Sequence, residues 1–190
     1  MLTVAAVFVL SFANAQQREK GTIELAPQIG YATANYYGEN NLNNNSLGGV
    51  AFGLGADYFF NDRWSLRSGL LYQPMGSDLG GGFKEKINYL TLPVNANWHF
   101  GSTRKWNLNF GPSIGFVMSA KFDGNDIKDL VVATQVGLNY GIGYKIFVNE
   151  KFSILIDYQG MTGLTGIDDS GDTSLKNVYG SFNLGAVIKL

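Results

Sequence analysis

The sequence predicts an all-β protein, an eight-stranded antiparallel up-and-down transmembrane β-barrel, and three observations predict it. Apolar and polar residues alternate with period two in eight successive segments. Long polar connectors and short ones take turns between those segments. All three tryptophans stand beside short connectors. The alternation is clearest at the end of the chain, where Phe182, Leu184, Ala186, Ile188 and Leu190 fall on one face and Asn183, Gly185 and Lys189 on the other. Successive side chains of a strand point to opposite faces, so this pattern gives each segment one greasy and one polar side. In a closed barrel of this size the greasy side meets lipid.

The chain opens on an apolar stretch, Val4 to Phe12, followed by Ala13-Asn14-Ala15. A short apolar run ending in small residues reads as a secretory signal peptide over 1–15, cut before Gln16. It is too short to span a bilayer. The positive charge that usually precedes such a run is missing, which places the expected start a few residues upstream. The rival reading, an apolar first strand, has no turn or partner pattern behind it. The mature chain, 16–190, reads as one barrel domain, with no proline-rich linker or change of composition to mark a boundary.

Strands are expected at 21–32, 48–60, 64–74, 87–100, 105–119, 130–146, 152–162 and 177–190. About 9–11 tilted residues suffice to cross the hydrocarbon, and each segment reaches that length. Connectors 33–47, 75–86, 120–129 and 163–176 are long and rich in Asn, Asp, Gly and Ser, whereas 61–63, 101–104 and 147–151 are short. Barrels of bacterial outer membranes place long loops outside the cell and short turns in the periplasm, with an even strand number.

Tryptophan prefers the level of the lipid head groups. Trp64 opens the third strand, Trp98 nearly closes the fourth and Trp106 opens the fifth, with Phe60, Phe100 and Phe152 at equivalent heights, so these form an aromatic girdle at the short-turn end. Tyr31 and Tyr72 are expected in the opposite girdle. Aromatic residues packed inside a soluble sandwich would show no such preference for one end. On the outward face fall Ile23, Leu25, Ile29 and Tyr31; Val50, Phe52, Leu54 and Tyr58; Leu90, Leu92, Val94 and Trp98; Trp106, Leu108, Phe110, Ile114 and Phe116; and Val136, Leu138, Tyr140 and Ile142. Inward fall Glu24, Gln28, Asp57, Arg67, Gln73, Thr91, Asn95, Asn97, Asn107, Asn109, Gln135, Asn139, Lys145, Asp157, Asn183 and Lys189, among glycines.

Side chains fill the interior of an eight-stranded barrel, so a wide continuous channel is not expected. Charges placed there need partners. With Phe60 and Trp64 both outward, Asp57 lies across from Arg67, and similar logic pairs Lys145 with Asp157. These four form the expected polar network of the lumen.

Composition narrows the chemistry. The chain has no cysteine, which excludes a disulfide framework and a lipidated N-terminal cysteine. Its net charge of −1 is spread along the length, so no basic stripe is present for nucleic acid. No phosphate-binding or dinucleotide fingerprint occurs. Asp168-Asp169-Ser170-Gly171-Asp172 and Asp123-Gly124-Asn125-Asp126 carry oxygen ligands without the spacing of a calcium loop, and turn chemistry explains them. Asn40 to Asn45 is a low-complexity polar stretch that suits a surface loop. The single histidine, His99, sits at the short-turn end of the fourth strand near Ser65 and Ser153. A lipid-acting enzyme would work from the opposite leaflet, so His99 reads as structural. No catalytic residue, cofactor or metal is expected.

The segments resemble the eight-stranded outer-membrane barrels of Bacteroidetes grouped as PorT-like or outer-membrane beta-barrel domain proteins. The carrying residues are Ser65-Leu66-Arg67-Ser68-Gly69-Leu70-Leu71-Tyr72-Gln73, Asn88-Tyr89-Leu90-Thr91-Leu92-Pro93-Val94, Gly111-Pro112-Ser113-Ile114-Gly115 and the final strand. The resemblance implies outer-membrane residence and insertion by the barrel assembly machinery, whose C-terminal signal Asn183-x-Gly185-x-x-Ile188-x-Leu190 looks like, though it ends in leucine instead of an aromatic residue. It also implies an accessory role in protein secretion. Pro93 and Pro112 would then stand at bulges that bend the wall.

The expected function is non-enzymatic: a barrel anchored in outer-membrane lipid whose loops meet protein partners or the medium. The alternative is a small pore or transporter for small solutes or apolar ligands.

Overall fold

A computed structural model describes residues 18–38, 44–168 and 175–190. The expected signal peptide, most of the asparagine-rich stretch and most of the Asp168–Asp172 segment lie outside them. Among the described residues the elements run β1 (Ile23–Tyr37), β2 (Asn45–Phe59), β3 (Trp64–Gly80), β4 (Phe83–Phe100), β5 (Trp106–Phe122), β6 (Asn125–Asp126), β7 (Thr134–Phe147), β8 (Phe152–Gly163) and β9 (Lys176–Lys189), with a 3-10 turn at Lys128–Leu130. β6 is a two-residue flap that pairs only with β5. The other eight form the wall, every neighbour antiparallel, in the order β4-β3-β2-β1-β9-β8-β7-β5, and β4 pairs back onto β5. First and last strands meet from Glu24↔Lys189 to Tyr37↔Lys176, so the closed wall leaves no unpaired edge for hydrocarbon to strand. The fold is the expected closed barrel.

Strands β3, β4 and β5 run 17, 18 and 17 residues, well beyond the roughly 9–11 that cross a bilayer. Their upper ends therefore stand in water. The long connector expected over 75–86 is strand as far as Gly80 and resumes at Phe83, with only two residues between. Gly80, Gly81 and Gly82 all carry positive φ (80°, 63° and 93°), a conformation cheap only for glycine, and this lets the chain reverse so tightly. The polar composition of this stretch marks its solvent, not a loop.

The two faces of the wall exchange polarity at that water boundary. In β4, Leu90, Leu92 and Val94 point outward and Thr91, Asn95 and Asn97 are buried inward; one step higher, Lys86 and Asn88 point outward and Ile87 and Tyr89 are buried. β1 does the same, with Ile29 and Tyr31 exposed below and Ala32, Ala34 and Tyr36 buried above. Hydrocarbon rewards apolar groups outside the barrel, and water rewards them inside. One strand obeys both solvents in turn.

Neither Pro93 nor Pro112 stands at a bulge, contrary to the expectation. Pro93↔Ser113 and Pro112↔Leu138 keep register. Instead the pairing lapses around them without a shift: Ser68↔Val94 is followed by Leu71↔Thr91, and Pro93↔Ser113 by Ala96↔Phe110. A missing N–H costs a ladder bond but no residue, and the Ser68 hydroxyl donates to the Pro93 carbonyl at 2.7 Å. The register shift in this part of the wall falls at Met118, between Asn88↔Ser119 and Tyr89↔Val117.

Candidate functional site

Two plugs of opposite chemistry fill the lumen of this eight-stranded barrel. The lower plug, at the short-turn end, is ionic. Register sets Asp57 opposite Arg67, and the guanidinium reaches Asp57 at 2.9 Å and Asp157 at 3.6 Å. Asp157 also accepts from Asn183 at 3.0 Å and Gln159 at 2.7 Å. Lys145 does not pair with Asp157 as expected. Its strand partner is Leu155, while Asp157 stands opposite Gly143, so the ammonium crosses the lumen to Glu24 and stands 3.8 Å from Asp57. The other Glu24 oxygen is held by Arg18.

Three cations (Arg18, Arg67, Lys145) and three anions (Glu24, Asp57, Asp157) thus sum to zero charge inside the wall, all at most 9% exposed. Each buried ion sacrifices several kcal/mol of hydration, offset only while its partners remain. Arg18 lies outside every strand, and no period-two signal selects it. Below this cluster the Phe59 ring is fully buried, with Arg18 and Lys145 over it at 5.0 and 5.6 Å. Asparagines on β4 and β5 line the next sector: Asn95 donates to Asn109 at 2.9 Å, and Asn97 donates to Asp57 at 2.8 Å. Inward glycines make the room, since a Cβ on Gly143 would stand 2.7 Å from the Asn107 amide.

His99 is fully buried beside this cluster, its ring tilted against Phe59 with centroids 4.7 Å apart and its Nε2 at 2.9 Å from the Ser65 hydroxyl. Ser65 donates its one hydrogen to Asp57 at 2.9 Å. That leaves the imidazole to act as donor toward the hydroxyl, the reverse of what activating a nucleophile requires. Ser153 is also buried inward, on β8.

The upper plug is apolar and was not anticipated from the sequence. Ala32, Tyr36, Met75, Ile87, Tyr89, Val117, Met161 and Tyr179 pack together inside the long-connector end, closed from above by Val131 and Ile167. Its signal was the inward phase of Ile87, Tyr89 and Met161. A polar seam crosses it, with Tyr36 donating to Glu85 at 2.8 Å and Asn177 to Gln135 at 2.7 Å. Between the plugs, a cavity of about 30 Å³ is lined by Gln73, Asn95, Arg67, Asn139 and Asp157. That is room for one or two waters.

On the outer wall, the girdle residues form a continuous aromatic row: Trp64–Trp98 at 6.2 Å, Trp98–Phe100 at 5.0 Å, Phe100–Trp106 at 6.2 Å and Trp106–Tyr144 at 4.8 Å. Above, Tyr31 is 63% exposed, and Phe52 stacks on Tyr72 at 4.8 Å.

A closed wall, apolar outside and ionic within, defines a transmembrane barrel of the outer membrane. The family comparison agrees: the family model described as outer membrane protein beta-barrel domain matches residues 2–189, and the chain belongs to that family. Solved structures share the fold. Neisserial surface protein A matches with a TM-score of 0.58 at 17% identity, over 90% of this chain and 99% of that one. The outer membrane protein OprG of Pseudomonas aeruginosa matches with 0.56 at 14%, over 93% and 99%. Ail, the attachment invasion locus protein of Yersinia pestis, matches with 0.52 at 19%, over 90% and 99%. No curated protein matches the sequence. The protein resides in the cell outer membrane.

Proposed function

We propose that this barrel is a non-enzymatic, non-conducting protein whose work is done by the loops and strand ends it raises above the outer membrane. The observation that carries this reading is the double closure of the lumen, ionic below and apolar above, with space for one or two waters between. A solute would have to disperse two packed layers. The raised ends of β3, β4 and β5, by contrast, offer a broad surface to partners. The segments around Arg67, Leu92 and Ile114 resemble those of PorT-like barrels of Bacteroidetes, and an accessory part in protein secretion is the role that resemblance suggests.

Planar-bilayer recording of the purified folded protein is expected to give a flat baseline. Steady current steps would overturn this reading in favour of a small pore for small solutes or apolar ligands. The wiring of His99 supports a structural role for it, so His99→Ala is expected to leave any lipid-deacylating background of the preparation unchanged.

A further inference from the structure

The β2–β3 seam of the wall is irregular on its lipid side. Between Ser46↔Ser77 and Phe52↔Tyr72 the β2–β3 ladder lapses, and residues 47–51 lie opposite 73–76, one residue more on β2 than on β3. Gly48 and Gly49 place no side chain there, and Pro74 offers no N–H. The result is an outward groove of about 580 Å³, lined by Leu47, Val50, Phe52, Tyr72 and Pro74, with Lys86 and Asn88 on its rim. The stacked rings of Phe52 and Tyr72 form its lower wall.

The rim lysine, Lys86, has a second lysine as its cross-strand neighbour. Lys86 is directly opposite Lys121 across the β4–β5 ladder, both exposed and outward. Like charges so placed, with Cβ atoms about 5 Å apart, destabilise a sheet. Neither makes an ion pair among the described residues. Asp78 faces Lys84 at 3.8 Å. Asp126 stands directly across from Lys121 and offsets part of that lysine's charge, while its Oδ1 also accepts the Lys128 backbone N–H at 2.9 Å. Lys86 has no such acid, since its cross-strand partners are Gly76 and Lys121. Glu85 points inward to Tyr36. Both lysines lie just above Leu90 and Met118, where the outward face changes from apolar to polar. That is the level of lipid phosphates.

We propose that the groove and this lysine pair bind a phosphate-bearing lipid of the outer leaflet, an acyl chain lying against Val50, Phe52 and Pro74 and the phosphate between Lys86 and Lys121. Charge complementarity selects the head group, because an ammonium is a compact point charge suited to phosphate, and Asp126 offsets at most one of the two positive charges. The apolar lining selects a lipid over a free anion, which would leave the groove unused. The site is on the outer wall and stands whether or not the lumen conducts.

The test is native mass spectrometry of the full-length mature barrel, released from detergent with either phosphatidic acid or a diacylglycerol of the same chains. Wild type is expected to retain phosphatidic acid about tenfold better than diacylglycerol, as two cations at a lipid surface allow. The doubly substituted Lys86→Gln, Lys121→Gln protein should lose that preference. Val50→Trp, which fills the groove, should lower retention of both lipids. Inorganic phosphate at millimolar concentration should displace neither. The variants change exposed side chains, and unboiled gel migration verifies that each is folded. Equal retention of the two lipids by wild type, or a preference that survives the double substitution, overturns the proposal. Displacement of phosphatidic acid by inorganic phosphate overturns it in favour of a free-anion site.

Discussion

The lower and upper halves of the lumen occupy the same inward face of the same strands, yet one is built from six charges and the other from alanine, methionine and aromatic rings. The difference lies outside the wall. Where lipid surrounds the barrel, apolar residues are rewarded outside, and the interior is free to be polar provided its charges pair. Where water surrounds it, the projecting strands need a hydrophobic interior like that of any soluble domain. The upper plug is thus the core of a small aqueous domain, and the lower plug is the filling of a membrane span.

The sharpest way to break the comparison is to remove one ion from the lower plug. Asp57→Leu leaves Arg67 with only its 3.6 Å contact to Asp157 and the buried cluster with one uncompensated positive charge, and unfolding in lipid vesicles followed by tryptophan fluorescence is expected to show a loss of about 3–5 kcal/mol. Adding Arg67→Met should restore most of it, since an apolar pair can replace a buried ion pair at little cost. If the double substitution is no better than the single, pairing is not what holds the lower half.

A smaller effect is expected above. Ile87→Ala deletes buried methyl groups from the upper plug, with a cost of about 2–5 kcal/mol by the same measurement. A cost near zero would mean that the projecting end is not packed as a core.

The boundary between the halves can be probed on the outer face of a single strand. Leu92→Arg, midway down the apolar band, is expected to cost about 2–4 kcal/mol, whereas Asn88→Arg, two outward positions higher, should cost about 0–1 kcal/mol. Equal costs would place the water boundary elsewhere than between Leu90 and Asn88.

Much of this was legible in the sequence. The eight strands, their closure, the outward row of Trp64, Trp98 and Trp106 and the facing of Asp57 and Arg67 follow from period-two phase and short turns, which are local properties. The partner of Lys145 was not legible. Phase says that Lys145 and Asp157 both point inward, but which acid a long side chain reaches depends on barrel stagger and on the distance across the lumen, and Glu24 lies 121 residues away. Arg18 was hidden for a related reason, because it enters from a segment without regular structure. The stretch 75–86 misled because polar residues mark loops in a membrane barrel only when the strands stop at the head groups. Here they continue past them.

By itself the sequence determined which residues face each other through the wall and which face lipid, because a strand's pleat converts spacing into direction. Only the tertiary structure decided who meets whom across the lumen and where the bilayer ends. Those depend on how strands separated by a hundred residues are staggered around a closed ring, and no local pattern encodes that distance.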